Sequence, residues 1–262
     1  MKKNTITKLK ITMFLLVCVF LIFIYVVTIP TTNIHYKSYT FHLFSIIYSF
    51  MIVCSIVIID LEKIVKKEYI IALCLGLLSI GVTTPINYMG VLSGMCTLFA
   101  YLGGMTLSAE YNNKMILIRS TEFKYIMRSI AVILSIVCAF IFMEWTLGEI
   151  PAIFNFEIIT LFRAIGAGIS EEIIFRFFIF SIILYICKGE EPPKLLTFFV
   201  MVIPFSLLHV IDQVVYNGFI NSLTAMTQTV LINIPITILA WKKDLFNAIG
   251  FHIIYDLVAM SF

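Results

Sequence analysis

Residues 165–180 read IGAGISEEIIFRFFIF, an apolar stretch holding two adjacent carboxylates, Glu171 and Glu172, with Arg176 one helical turn on. Two later apolar stretches carry His209 (IPFSLLHVIDQ) and the pair His252 and Asp256 (GFHIIYDLVAM). A charge at bilayer depth costs roughly 3 kcal/mol even on the lenient insertion scale, so such residues usually face a polar cavity and do chemistry there. Carboxylates and imidazoles together can hold a water and take its proton. The chemistry these residues suggest is hydrolysis within a membrane.

Spacing separates their tasks. Glu172 and Arg176 stand i,i+4, so they share a helix face in the favourable acid-before-base order. Glu171 lies about 100° around the helix and cannot use the same arginine equally well. One carboxylate is neutralised and its neighbour stays free, which is how acid and base roles are divided. A buried ion pair bracing two helices would account for Glu172 and Arg176 but leaves Glu171 unexplained. Phe205 precedes His209 by one turn and could shield one side of the imidazole. Asp212, three residues on, could hold the second ring nitrogen and fix the tautomer. Taken singly, a histidine at such a position is more often a satisfied core residue. His252 and Asp256 are again i,i+4, whereas His35 and His42 fit ordinary interfacial positions. No HExxH run is present, which sets aside the zincin pattern. Gly168-Ile169-Ser170-Glu171 supplies no nucleophile elbow either.

The elements that must position these groups are long apolar helices. Of 262 residues, 61% are hydrophobic and 13% charged, and the mean hydropathy is +1.06. A polytopic, all-α transmembrane bundle of about eight or nine spans with a buried polar catalytic cavity follows. The ten-residue alternation of a membrane β-barrel is missing. The spans are expected near 11–30, 40–60, 69–84, 88–108, 126–146, 158–186, 195–216, 219–240 and 246–261, with the weakest break at Thr83-Thr84-Pro85. Residues 1–124 are expected to form N-terminal transmembrane helices and residues 125–262 the catalytic core. The opening MKKNTITKLK and its apolar run resemble a signal peptide, but the run is too long and lacks a small-residue cleavage site, so a retained first helix is expected. The six cysteines fall in or beside apolar segments with no CxxC pair, as small buried hydrophobes do.

Loop charges order the spans. Lys2, Lys3, Lys8 and Lys10 precede the first span, and Lys63, Lys66 and Lys67 follow the second. Lys114, Arg119, Lys124 and Arg128 surround the start of the fifth, Lys188 and Lys194 follow the sixth, and Lys242 and Lys243 follow the eighth. The intervening loops hold only Lys37. This alternation predicts a multi-pass cell-membrane protein with a cytoplasmic N-terminus. Glu110–Tyr125 is amphiphilic and is expected at the cytoplasmic surface. His252 follows Lys243 closely, so a tilted last helix or a cavity in the cytoplasmic half would be needed to bring it to Glu171. The formal charge of +3, without a Lys/Arg patch interleaved with aromatics, gives no sign of nucleic-acid binding.

Three fragments on three helices, EExxxR (Glu171, Glu172, Arg176), FxxxH (Phe205, His209) and HxxxD (His252, Asp256), resemble the CPBP family of intramembrane proteases. That family includes CAAX prenyl endopeptidases and the bacterial bacteriocin-processing and immunity proteins also called the Abi family. The resemblance covers roughly residues 125–262. It implies that Glu171 and His209 activate the attacking water. His252 and Asp256 would sit opposite, stabilising the oxyanion or helping to hold a metal, and Glu172, Arg176 and Phe205 would support them. No cofactor is certain; zinc on Glu171, His209, His252 and Asp256 is the metal the donor types would suit. The third motif ends here in Asp256 where prenyl endopeptidases have Asn, so an oxyanion donor at that position must carry a proton.

The expected function is therefore an intramembrane endopeptidase of glutamate or metallo type acting on a membrane-associated peptide or precursor protein, in contact with membrane lipid. A bias towards Ile, Lys, Asn and Phe suggests a low-GC bacterial genome, which favours processing of a secreted signal or bacteriocin precursor over CAAX maturation. Two rivals remain. A non-proteolytic bacteriocin self-immunity or membrane scaffold protein would usually have lost a motif residue. A proton-coupled transporter with Glu171, His209 and Asp256 as a relay would favour paired broken helices and internal repeats, and neither is clear.

Overall fold

The structure, a computed structural model, describes residues 39–83, 89–112, 114–146 and 156–261. These residues are helical with connecting turns, and no strand occurs among them. Helices α1 (Tyr39–Ile58), α2 (Lys66–Thr83), α3 (Met89–Ser108) and α4 (Phe123–Thr146) precede a long rod. The rod consists of α5 (Ile158–Glu171), a π-helical stretch (Glu172–Phe178) and α6 (Ile179–Ile186). It is followed by α7 (Lys194–Asn217), α8 (Leu223–Lys242) and α9 (Leu245–Ala259). The spans read from hydropathy beyond residue 38 each coincide with one helix or with the rod. The span near 11–30 lies outside the described residues.

Among the described residues, four helices are long and apolar enough to cross a membrane: Gly90–Ser108, Phe123–Phe142, Lys194–Asn217 and Ile220–Lys242. The rod carries the densest burial. Every residue of Glu172–Phe178 is buried, the apolar ones against surrounding helices and Glu172 and Arg176 against each other. Phe177 stacks on Tyr101 of α3 at 5.2 Å between ring centroids. Phe180 packs on Trp241 of α8 at 6.0 Å. Between α2 and α3 the backbones nearly touch. A Cβ on Gly94 would lie 2.6 Å from the Gly76 carbonyl oxygen, the small-residue contact by which membrane helices approach. The Thr83 break behaves as the loop charges require, since α2 ends at Thr83 and α3 returns antiparallel from Met89, with the Ser79 and Ser93 hydroxyls 3.3 Å apart.

The basic loops gather at one end of the bundle. Lys63 pairs with Glu110 at 2.7 Å, joining the loop after α1 to the loop after α3. That ion pair lowers the Glu110 carboxyl and raises the Lys63 amine relative to their ordinary values, each through hydrogen bonding to the other. At the opposite end the Thr40 backbone N–H donates to Asp212 Oδ1 (3.0 Å), tying α1 to α7. The segment between α3 and α4 straps the start of α9. Its Ile116 and Leu117 carbonyls accept from the Leu245 and Phe246 N–H groups at 3.0 and 2.8 Å. Asp244 caps α9, accepting from the Asn247 N–H (2.9 Å), and also takes the Arg119 N–H (2.8 Å) and the Tyr125 hydroxyl (2.5 Å). The unsatisfied donors at the start of α9 are thereby met by the strap, which carries part of that helix's anchoring.

Candidate active site

Glu171 is the last α-helical residue of α5, and the π-helical stretch begins at Glu172. The wider π turn narrows the angle between successive side chains, a distortion often found at functional sites. Both carboxylates consequently reach the same imidazole on α9. Glu172 Oε1 lies 2.8 Å from His252 Nδ1, and Glu171 Oε2 lies 3.6 Å from His252 Nε2. Gly168, one turn before Glu171, makes the approach of α9 possible. A Cβ there would stand 2.6 Å from Ile253 Cγ1 and 3.2 Å from the Ile249 carbonyl oxygen.

His209 enters from α7. Its Nε2 is 3.5 Å from Glu171 Oε2, and its Nδ1 is 3.0 Å from the Phe205 carbonyl oxygen of its own helix. A carbonyl can only accept, so Nδ1 carries a proton and donates to it, which leaves Nε2 as the ring atom that faces Glu171. Asp212 therefore does not set this tautomer as the i,i+3 spacing suggested. The backbone carbonyl one turn back does so, and Asp212 takes the Thr40 N–H instead. Phe205 lies against the imidazole, 4.3 Å between ring centroids, with Phe44 of α1 edge-on at 5.5 Å.

Asp256 Oδ2 is 3.3 Å from His252 Nε2. His252 Nδ1 must donate to Glu172, because that carboxylate is already engaged with Arg176. The Nε2–Asp256 line therefore needs one proton, held by the ring or by the aspartic acid. The four residues Glu171, His209, His252 and Asp256 thus converge. His252 is 4% exposed and faces the bundle interior rather than lipid. It sits midway along α9, so no displacement of the site towards the basic loops is needed. Side-chain exposure rises from none at Glu172 and Arg176, through 6% at His252 and 11% at Glu171, to 23% at Asp256 and 34% at His209. The accessible side of the cluster is the one where Asp256 and His209 stand.

Arg176 pairs with Glu172 at 3.1 Å, as the i,i+4 spacing predicts. Its guanidinium also lies 3.9 Å above the Phe205 ring and donates to Asn233 Oδ1 of α8. Two features escaped the sequence reading, Glu172 as the direct partner of His252 and Asn233 as a partner of Arg176. A polar residue amid the apolar LINIPITILA run was the available signal for Asn233. Its partner lies 57 positions away and no local pattern names it. Among the described residues, no three His, Cys, Asp or Glu side chains are grouped so that they could hold a metal ion. The zinc expectation on Glu171, His209, His252 and Asp256 gains no support from this geometry.

No curated protein and no solved structure matches the chain. Residues 153–258 match the model of a family described as type II CAAX prenyl endopeptidase Rce1-like. That segment contains all three motifs and every residue of the cluster. Residues 153–258 are therefore similar to the CAAX-type endopeptidases, the kind of family that the motifs resemble.

Proposed function

We propose that the chain is an endopeptidase that cleaves a membrane-associated peptide or precursor with a water activated by Glu171 and His209. The observation that carries this is the pair Glu171 Oε2 and His209 Nε2, facing each other 3.5 Å apart. A water beside this pair can donate to Glu171 and lie within reach of His209, with an oxygen lone pair directed at a carbonyl carbon. Glu171, which takes no hydrogen bond from the protein at Oε2 among the described residues, receives the proton. The negative oxygen of the tetrahedral intermediate forms beside His252 Nε2 and Asp256, where the proton on that line stabilises it. The proton on Glu171 then passes to the leaving amine. Every step uses side chains, and none is routed through a metal.

Two predictions follow from this scheme. Activity of the purified chain should be unchanged after treatment with a strong chelator; a loss restored only by added zinc would contradict it. Asp256→Asn should keep at least about a tenth of the activity, because the amide donates to His252 Nε2 where a protonated aspartic acid would, and a neutral group suits an apolar span. A folded but inactive Asp256→Asn protein would instead assign Asp256 an ionised role beside an imidazolium.

Residues 1–124 act as the supporting transmembrane portion and 125–262 as the catalytic core, with the N-terminus cytoplasmic in a multi-pass bacterial membrane protein. The joining of the basic loops at one end of the bundle supports that orientation. His209 lies about two thirds of the way along α7 and Asp256 in the last turn of α9, both past the midpoints of their helices. The substrate is read as a peptide on its way out of the cell, such as a signal or bacteriocin precursor, rather than a cytoplasmic CAAX protein. Comparative peptidomics of cells carrying the native chain or Glu171→Ala tests the proposal. An uncut precursor should accumulate in the variant; indistinguishable profiles would favour a non-proteolytic immunity or scaffold role.

A further inference from the structure

Helix α8 contributes nothing to the three motifs, yet it supplies a buried amide to the site's support. Asn233 is 3% exposed. Its Nδ2 donates to the Thr229 carbonyl (2.8 Å) and to Ser206 Oγ of α7 (3.2 Å), which fixes the amide with Oδ1 outward. That oxygen accepts from Arg176. The guanidinium in turn meets Glu172 Oε1, and the same oxygen meets His252 Nδ1 at 2.8 Å. The guanidinium also covers the Phe205 ring that backs His209. One cation is therefore linked to both histidines, and Asn233 is the neutral group that orients it.

The reason for an amide here is electrostatic. A carboxylate at position 233 would compete with Glu172 for Arg176, and an apolar side chain would leave half the guanidinium without a partner in a buried site. Only a neutral acceptor holds the cation while leaving its charge to Glu172. Glu172, so engaged, faces His252 at Nδ1 and not at Nε2. The relay leaves Nε2 as the atom that faces Glu171 and Asp256.

We infer that Asn233 is a positioning residue, which through Arg176 and Glu172 fixes the proton of His252 on Nδ1 and turns Nε2 to the reacting groups. The inference rests on the proposed protease reading only for its consequence in catalysis; the relay itself is read without substrate. The chain has four histidines, so nitrogen resonances of the full-length, histidine-labelled protein in detergent can be assigned with His209→Gln and His252→Gln variants. The native protein should show His252 protonated on Nδ1. In Asn233→Leu the His252 nitrogen signals should shift towards a mixture of tautomers, whereas a merely structural amide would leave them in place. Asn233→Ser, whose hydroxyl cannot span to Arg176, gives the same readout if the leucine variant does not accumulate. With a precursor identified by peptidomics, kcat per folded molecule should fall roughly 10-fold, the usual weight of an orienting partner, with KM unchanged. Unchanged His252 signals in a folded Asn233 variant overturn the relay whatever the activity. Failure of the native chain to cleave any precursor overturns the protease reading and is recognised separately, because the histidine signals are recorded without substrate.

Discussion

Glu171→Gln should lower cleavage by roughly 10²–10⁴-fold, the contribution of a positioned general base, while the protein melts close to the native temperature. The amide keeps the shape of the side chain and removes only its capacity to take a proton. Its oxygen lies at ion-pair distance from two imidazoles, 3.5 Å from His209 and 3.6 Å from His252. Glu171 lies next to the Arg176–Glu172 pair and is not a member of it. Activity and thermal melting measured on the same purified sample check this. Residual activity within tenfold of native, or a collapse in stability, would contradict the assignment of Glu171 as base.

Glu172→Gln should behave differently. One carboxylate oxygen serves Arg176 at 3.1 Å and His252 at 2.8 Å, with both Glu172 and Arg176 wholly buried. Removing its charge leaves a buried guanidinium without a counter-ion, which typically costs about 3–5 kcal/mol. Low accumulation in the membrane and a depressed melting temperature should accompany the loss of activity. Replacing the pair together, Glu172→Gln with Arg176→Met, should recover much of the stability, because no uncompensated charge remains. It should recover none of the activity, because His252 has lost the carboxylate that fixes its proton. Equal stability of the two glutamine variants would contradict this division of labour between adjacent glutamates.

What the sequence could and could not reveal follows from the range of the interactions. Hydropathy is a sum over neighbours, so α1 through α9 were legible from the chain alone to within a few residues. The pairing of Glu172 with Arg176 was legible because helical spacing sets it. The contact between Glu172 and His252 was not, since they are 80 positions apart and the π-helical stretch that turns both glutamates towards α9 leaves no mark in an i,i+4 pattern. Asp212 shows the converse limit. Its spacing made it a plausible partner for His209, but the Phe205 carbonyl is nearer to hand and α1 engages the carboxylate with Thr40. The segment Glu110–Tyr125 read as an amphiphile at the cytoplasmic surface because it mixes polar and apolar residues. Its backbone also serves the first turn of α9, a use that depends on where another helix begins.

Under the proposed scheme Asp256 acts as a neutral donor beside His252, 3.3 Å from its Nε2. The contact at that position is with an imidazole nitrogen that already lacks a second donor, and either an amide or a protonated acid can provide one. In the inferred relay, the tautomer that makes this exchange possible is set on the far side of the ring, where Glu172 lies 2.8 Å from Nδ1. A change at Asp256 and a change at Glu172 should therefore not be additive, as expected for two groups acting on one ring.

The central claim is that a water held beside Glu171 and His209 cuts a peptide bond without a metal. The most direct measurement is cleavage of a membrane-anchored precursor by the purified chain in lipid vesicles, run in ¹⁸O-labelled water with a strong chelator present. The account predicts a single cut, one labelled oxygen in the new C-terminal carboxylate, and no product with Glu171→Gln or His209→Gln. Product formation by the Glu171→Gln protein, or cleavage that stops with chelator and returns with zinc, would contradict it.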